Sequence, residues 1–131
     1  MSSVYLSGSK CGLLAAILYK YFCDTTPIEI FYIWSDYAEA ANKWSGYPDN
    51  YELLPDHFLI YIPKINKYFD ILGLQNEDEV LDYWYEDLRH IERKYIELRK
   101  LKDVDSFMKE YFRPTIDFEI QSLISDLSRY L

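Results

Sequence analysis

Large apolar residues recur at steps of four and three through most of this chain, and that spacing constrains its fold more than any other feature. A first helix is predicted over about residues 9–23, where Leu14, Leu18 and Tyr21 or Phe22 share a face. A second opens at Thr26-Pro27-Ile28-Glu29, a capping box with proline at the first helical position, and carries Ile30, Trp34, Tyr37, Ala41 and Trp44. A third, about 56–72, carries Phe58, Ile62, Ile65, Phe69 and Leu72, is kinked or split at Pro63, and ends at Gly73. A fourth, about 77–102, starts at Asn76 with Glu79 completing a second box; its stripe is Val80, Trp84, Leu88, Ile91, Tyr95 and Leu98. A short fifth helix runs from about Asp105 to before Pro114. A sixth carries Ile116, Ile120, Leu123, Leu127 and Leu131, with Thr115 as its cap.

Stripes of this kind joined by short connections predict a mostly α fold, a compact bundle of five to six amphipathic helices in a single domain over residues 1–131. The alternative is α/β. Val4–Ser7, Ile28–Trp34 and Phe58–Ile62 are rich in β-branched and aromatic residues, and would give a small three-stranded sheet in the first half. Gly and Pro number only four and five, too few for a turn-rich all-β domain. The segment 46–55, GYPDNYELLP, reads as the one clear loop.

The charge balance excludes some partners. With 22 acids against 14 bases the net charge is −8, so direct binding to nucleic acid phosphates or to an anionic membrane surface is not expected. A basic partner is. The two cysteines, Cys11 and Cys23, form no CxxC and no Cys/His cluster; unpaired thiols fit a reducing, cytoplasmic setting. The longest apolar run, Leu13–Tyr19, is too short to span a bilayer.

Two acidic, aromatic-rich segments are candidate partner-binding surfaces. In NEDEVLDYWYEDLRH, residues 76–90, Asp78, Asp82 and Glu86 fall opposite the apolar stripe and should face solvent. Acids in a first turn also complement the helix dipole, and the bases from Arg89 to Lys102 complete that ordinary pattern. In WSDYAEAANKWSGYPDNYE, residues 34–52, the candidates are Asp36, Glu39, Tyr47, Asp49, Tyr51 and Glu52, pairing carboxylates with ring anchors. The plain reading of that segment is that Trp34, Tyr37 and Trp44 belong to the core.

Signals for catalysis are weak. Ser7-Gly8-Ser9-Lys10-Cys11-Gly12 resembles neither a P-loop nor a dinucleotide fingerprint, and reads as a loop leading into a helix. Cys11, beside Lys10 at a helix start, has the surroundings that lower a thiol pKa, but nothing in linear order sets a His or Asp against it. His90 and Glu86 stand one helical turn apart, and His57 stands alone. No third ligand is identifiable, so no metal and no cofactor is expected.

The resulting expectation is a non-enzymatic acidic binding protein that masks a basic, nucleic-acid-binding surface of a partner protein. A nuclease or other nucleic-acid-binding enzyme would be such a partner. The settings that fit are an anti-CRISPR or anti-restriction inhibitor acting as a nucleic-acid mimic, or an immunity protein against a nuclease toxin. The alternatives are a small phosphate- or nucleotide-binding α/β domain or enzyme using the Ser7–Gly12 loop, and a helical structural subunit of an oligomer.

Overall fold

A computed structural model of the chain describes residues 11–44, 56–85, 94–114 and 117–131, the side chains of 41–44 excepted. The elements in chain order are α1 (Cys11–Phe22), β1 (Glu29–Ser35), α2 (Asp36–Trp44), β2 (His57–Ile62), β3 (Lys67–Asp70), β4 (Gly73–Gln75), α3 (Glu77–Tyr85), β5 (Ile96–Lys100), α4 (Val104–Tyr111) and α5 (Phe118–Ser128). The strands form one five-stranded sheet in the order β4-β3-β2-β1-β5, with every neighbouring pair antiparallel. The expected helical bundle is therefore corrected to a sheet flanked by helices.

The reason lies in burial on both sides of the sheet. In β2, Phe58, Ile60 and Ile62 point into the larger core, built with α1, α4 and α5. Leu59 points into a second cluster, with Ile33, Tyr68 and Val80 of α3. A helix over the same residues would leave part of HFLIYI facing water. Each large apolar side chain moved from water to a core is worth about 1.5–3 kcal/mol, against a few tenths for helix propensity. The 4-3 spacing of Phe58, Ile62, Ile65 and Phe69 is thus coincidental. Ile30, Tyr32 and Trp34 in β1 face the larger core in the same way, while Ile33 faces the other.

The three-stranded alternative comes nearer but counts too few strands. Two of its segments overlap β1 and β2, and Val4–Ser7 lies outside the described residues. It lacks β3, which occupies the predicted third helix beyond Pro63, β4, which follows that helix's predicted end, and β5, which occupies the end of the predicted fourth. Asn66 adopts φ 53°, turning the chain from β2 into β3, and Gly73 at φ 92° does the same between β3 and β4. In β5 the sequence alternates: Leu98 packs toward the α3 side, while Arg99 lies over the Trp34 ring at 5.1 Å.

Local capping follows sequence closely in one place and departs from it in two. Asn76 and Glu79 form the expected reciprocal box, at 2.9 Å from the Asn76 amide to Glu79 Oε1 and 2.8 Å from the Glu79 amide to Asn76 Oδ1. The Thr26 box does not form a helix start, because β1 begins there; α2 starts later, where Ser35 Oγ accepts from the Tyr37 and Ala38 amides. For α5 the cap is Asp117, which accepts from Ile120 N–H at 2.9 Å. Among the described residues no helix is long and apolar enough to cross a membrane.

Helix α1 lies buried along the sheet, with Leu14 to Leu18 all inaccessible. Gly12 meets the ring of Tyr111 from α4 so closely that an added Cβ would fall inside the ring's van der Waals envelope. Gly12→Ala must push α1 and α4 apart. The expected loss is about 1–3 kcal/mol, read as a lower urea midpoint with unchanged slope.

Candidate functional site

His57 is the first residue of β2 and Asp70 the last of β3. In the β2–β3 register Ile60 pairs with Phe69 and Tyr61 with Tyr68. That register sets His57 and Asp70 diagonally across the hairpin on one face. Both are almost wholly buried, and His57 Nε2 lies 2.8 Å from Asp70 Oδ2. The other carboxylate oxygen, Oδ1, accepts from the Leu72 amide and from Gln75 Nε2, each at 2.8 Å. Gln75 is itself buried and also donates to the Gly73 carbonyl at 3.2 Å.

Trp84 of α3 stacks on the imidazole with ring centroids 4.5 Å apart and planes 24° from parallel. The indole lies against a ring whose hydrogen bond to Asp70 water would otherwise weaken. Isolated buried histidines are neutral, because burial disfavours charge. Here burial would pull the His57 pKa down, but the hydrogen bonds and charges of Asp70 and Cys11 outweigh it and push it up from 6.5 to about 9.

Cys11 completes the arrangement. It is the first residue of α1 and is half-buried. Burial alone would raise its thiol pKa. The neighbouring His57 ring, with the backbone of Phe58 and Gly12, more than reverses that and holds it below the ordinary value. His57 Nδ1 makes no complete hydrogen bond among the described residues, so it is the ring nitrogen available to the sulfur. Tyr111, whose ring lies against Gly12, Phe58 and Phe107, forms a half-buried aromatic wall next to the thiol. Burial, with the Cys11 charge as the next cause, raises its phenol pKa.

Chemically, the set holds a nucleophile, a base and a group that orients the base. Cys23, by contrast, has its thiol pushed up, by burial and by the adjacent Asp24 carboxylate. Among the described residues no group of three or more His, Cys, Asp and Glu side chains could hold a metal ion. A separate hollow at the start of α5, lined by Asp117, Phe118, Glu119 and Ser122, shares no residue with the thiol site.

The residues expected to bind a partner are distributed differently. Asp36 turns inward, where Oδ1 accepts from the Lys94 and Tyr95 amides at 3.1 and 3.4 Å, tying α2 to the approach to β5. Glu39 on α2 is exposed, as are Asp78 and Asp82 on α3. Tyr47, Asp49, Tyr51, Glu52 and Glu86 lie outside the described residues, as do His90 and Ser7 to Lys10. Trp34 is core, whereas Tyr37 is exposed. Sequence reasoning singled out Cys11 but missed His57 and Asp70 as its partners. The available signal was HFLIYI-PKIN-KYFD read as a hairpin, which brings a lone histidine beside a carboxylate embedded between Phe69 and Ile71.

Compared with known family models, curated proteins and solved structures, the chain matches none.

Proposed function

We propose that this protein is a thiol-dependent acyl hydrolase or acyl transferase, with Cys11 as nucleophile, His57 as acid and base, and Asp70 as the orienting carboxylate. What supports this reading is the buried His57–Asp70 pair, with Cys11, the first described residue of α1, held below its ordinary pKa by that neighbouring imidazole. A structural histidine needs no thiol beside it, and a structural cysteine is inert because burial raises its pKa. Both groups here are shifted toward the charged pair that nucleophilic chemistry uses.

The steps follow from the groups present. The Cys11 thiolate adds to the carbonyl carbon of an ester, thioester or amide, and the carbonyl π pair moves onto oxygen. The resulting oxyanion forms near the first turn of α1, whose backbone N–H groups point toward its start. The intermediate collapses, the bond from carbon to the leaving group breaks, and the proton on His57 goes to that group. Cys11 is left as a thioester. Water or a second nucleophile then gives its proton to His57 as it attacks, and the thiolate–imidazolium pair returns.

p-Nitrophenyl acetate tests this without knowledge of the natural substrate. A burst of nitrophenolate equal to the protein concentration is expected, with one acetyl group on the Cys11 peptide by mass spectrometry, and both lost in Cys11→Ala. Acetylation of Cys23 and Cys11 alike, with no burst, would overturn the reading.

The acid-masking role is a second reading, favoured by one observation: Asp78 and Asp82 both lie exposed on α3. Its partner would be a basic nucleic-acid-binding enzyme. Charge reversal at both positions is expected to slow association with such a partner about tenfold at low salt and to flatten the salt dependence, measured by stopped-flow or surface binding.

A further inference from the structure

We infer that Gln75 is a positioning residue of the thiol site: it fixes the Asp70 carboxylate so that Oδ2 alone faces His57. The inference rests on the thiol reading above and adds a fourth member to it. Gln75 Nε2 and the Leu72 amide converge on the same oxygen, Oδ1, at 2.8 Å each. Gln75 is held in turn by the Gly73 carbonyl, in a strand of three residues that pairs with β3 at the edge of the sheet. Gly73 takes φ 92° and pairs with Asp70, and the register that follows sets Gln75 opposite Tyr68, diagonal to Asp70 on the same face of the sheet. A carboxylate pinned by two donors on one oxygen cannot rotate away from the imidazole without breaking both bonds. Strand β4 thus supplies one side chain to the site, although it contributes nothing to the nucleophile or the base.

The titratable groups that act on this array come from four elements, α1, β2, β3 and α4. Asp70 of β3 and Cys11 of α1 act on His57; His57 acts on Cys11; Tyr111 of α4 feels Cys11 and the neighbouring Glu110. Trp84 of α3 and Gln75 of β4 carry no charge. Loss of the Gln75 donor therefore reaches the thiol through Asp70 and His57 in series.

The test is the pH profile of Cys11 alkylation by iodoacetamide, with Cys23 as the internal reference, in wild type, Gln75→Met and Gln75→Glu. Methionine keeps the volume and removes the donor. Its expected effect is a profile displaced toward that of Cys23, with a rate at pH 6 lower by about tenfold, the equivalent of one unit. Glutamate keeps the shape. Protonated, it donates to Oδ1 as the amide does, so the low-pH rate stays near wild type; ionised, it becomes an acceptor and repels Oδ1, and the profile gains a second inflection. Should Gln75→Met fail to fold, Gln75→Glu carries the test through that inflection. Wild-type profiles in the folded variants, with or without a lowered melting temperature, would overturn the role of Gln75 while leaving the thiol reading intact. A wild-type Cys11 profile no different from that of Cys23 would instead overturn the thiol reading itself.

Discussion

Asp70→Asn is expected to abolish most turnover, by about 10³–10⁴-fold, while leaving Cys11 in place. The cause is hydrogen-bond direction. Oδ1 of Asp70 faces two donors, the Leu72 amide and Gln75 Nε2. An asparagine must put its single oxygen there, since its NH2 group would clash with both. The NH2 then points at His57 Nε2, where a carboxylate oxygen lay 2.8 Å away. The ring must accept at Nε2 and carry its proton on Nδ1, toward the sulfur. A neutral imidazole in that tautomer cannot take a proton from the thiol. The measurement is the rate of nitrophenolate release after the burst, beside the pH profile of alkylation, which should move up. Folding stability should fall by only about 1–3 kcal/mol, because one polar contact is replaced by another of reversed sense. Wild-type turnover in Asp70→Asn would show that the buried pair serves packing alone.

In the folded wild-type protein, iodoacetamide at pH 6 is expected to label Cys11 on the order of tenfold faster than Cys23, even though the low-pKa sulfur is intrinsically the weaker nucleophile. Thiolate fraction grows tenfold for each unit of lowering, while nucleophilicity falls by less than half that on the logarithmic scale, so the lowered group wins. In concentrated urea the preference should vanish, because both shifts depend on folded neighbours. The same coupling sets the pH dependence of stability. The raised His57 pKa stabilises the fold fully below about 6.5, and that contribution is lost as pH rises through about 9. The lowered Cys11 pKa acts in the opposite sense: its contribution is present above the ordinary thiol value and is lost as pH falls through the folded one. The two slopes oppose each other in wild type. Because Cys11 helps hold the His57 pKa up, Cys11→Ala removes the second contribution and part of the first, so the pH dependence of its melting temperature should differ from that of wild type.

What could be read from sequence divides along a physical line. Local signals held where the neighbouring chain decides the outcome: the Asn76–Glu79 box, the buried stripe of α1, and the stripe of Ile120, Leu123 and Leu127 in α5. They failed where both faces of a segment are covered. Then the segment's interior is a continuous apolar run, and any period can be found in it, as in EIFYIWS and HFLIYI. The site was illegible for a related reason. His57 and Asp70 are thirteen residues apart, and become neighbours only through the hairpin register. Cys11 reaches them only because α1 packs on that hairpin from the other side of the sheet. Asp36 adds a contact that linear order does not show: its Oδ1 accepts from two backbone amides of the approach to β5.

Cys11 belongs to α1 on one side of the sheet, whereas His57, at the start of β2, is stacked by Trp84 of α3 on the other, so the proposed centre draws on both layers. Such a centre is blank until the layers close. A nascent or heat-loosened chain would carry two unremarkable thiols, and competence would switch on as a late event of maturation, making labelling of Cys11 a direct clock for completion of the native state.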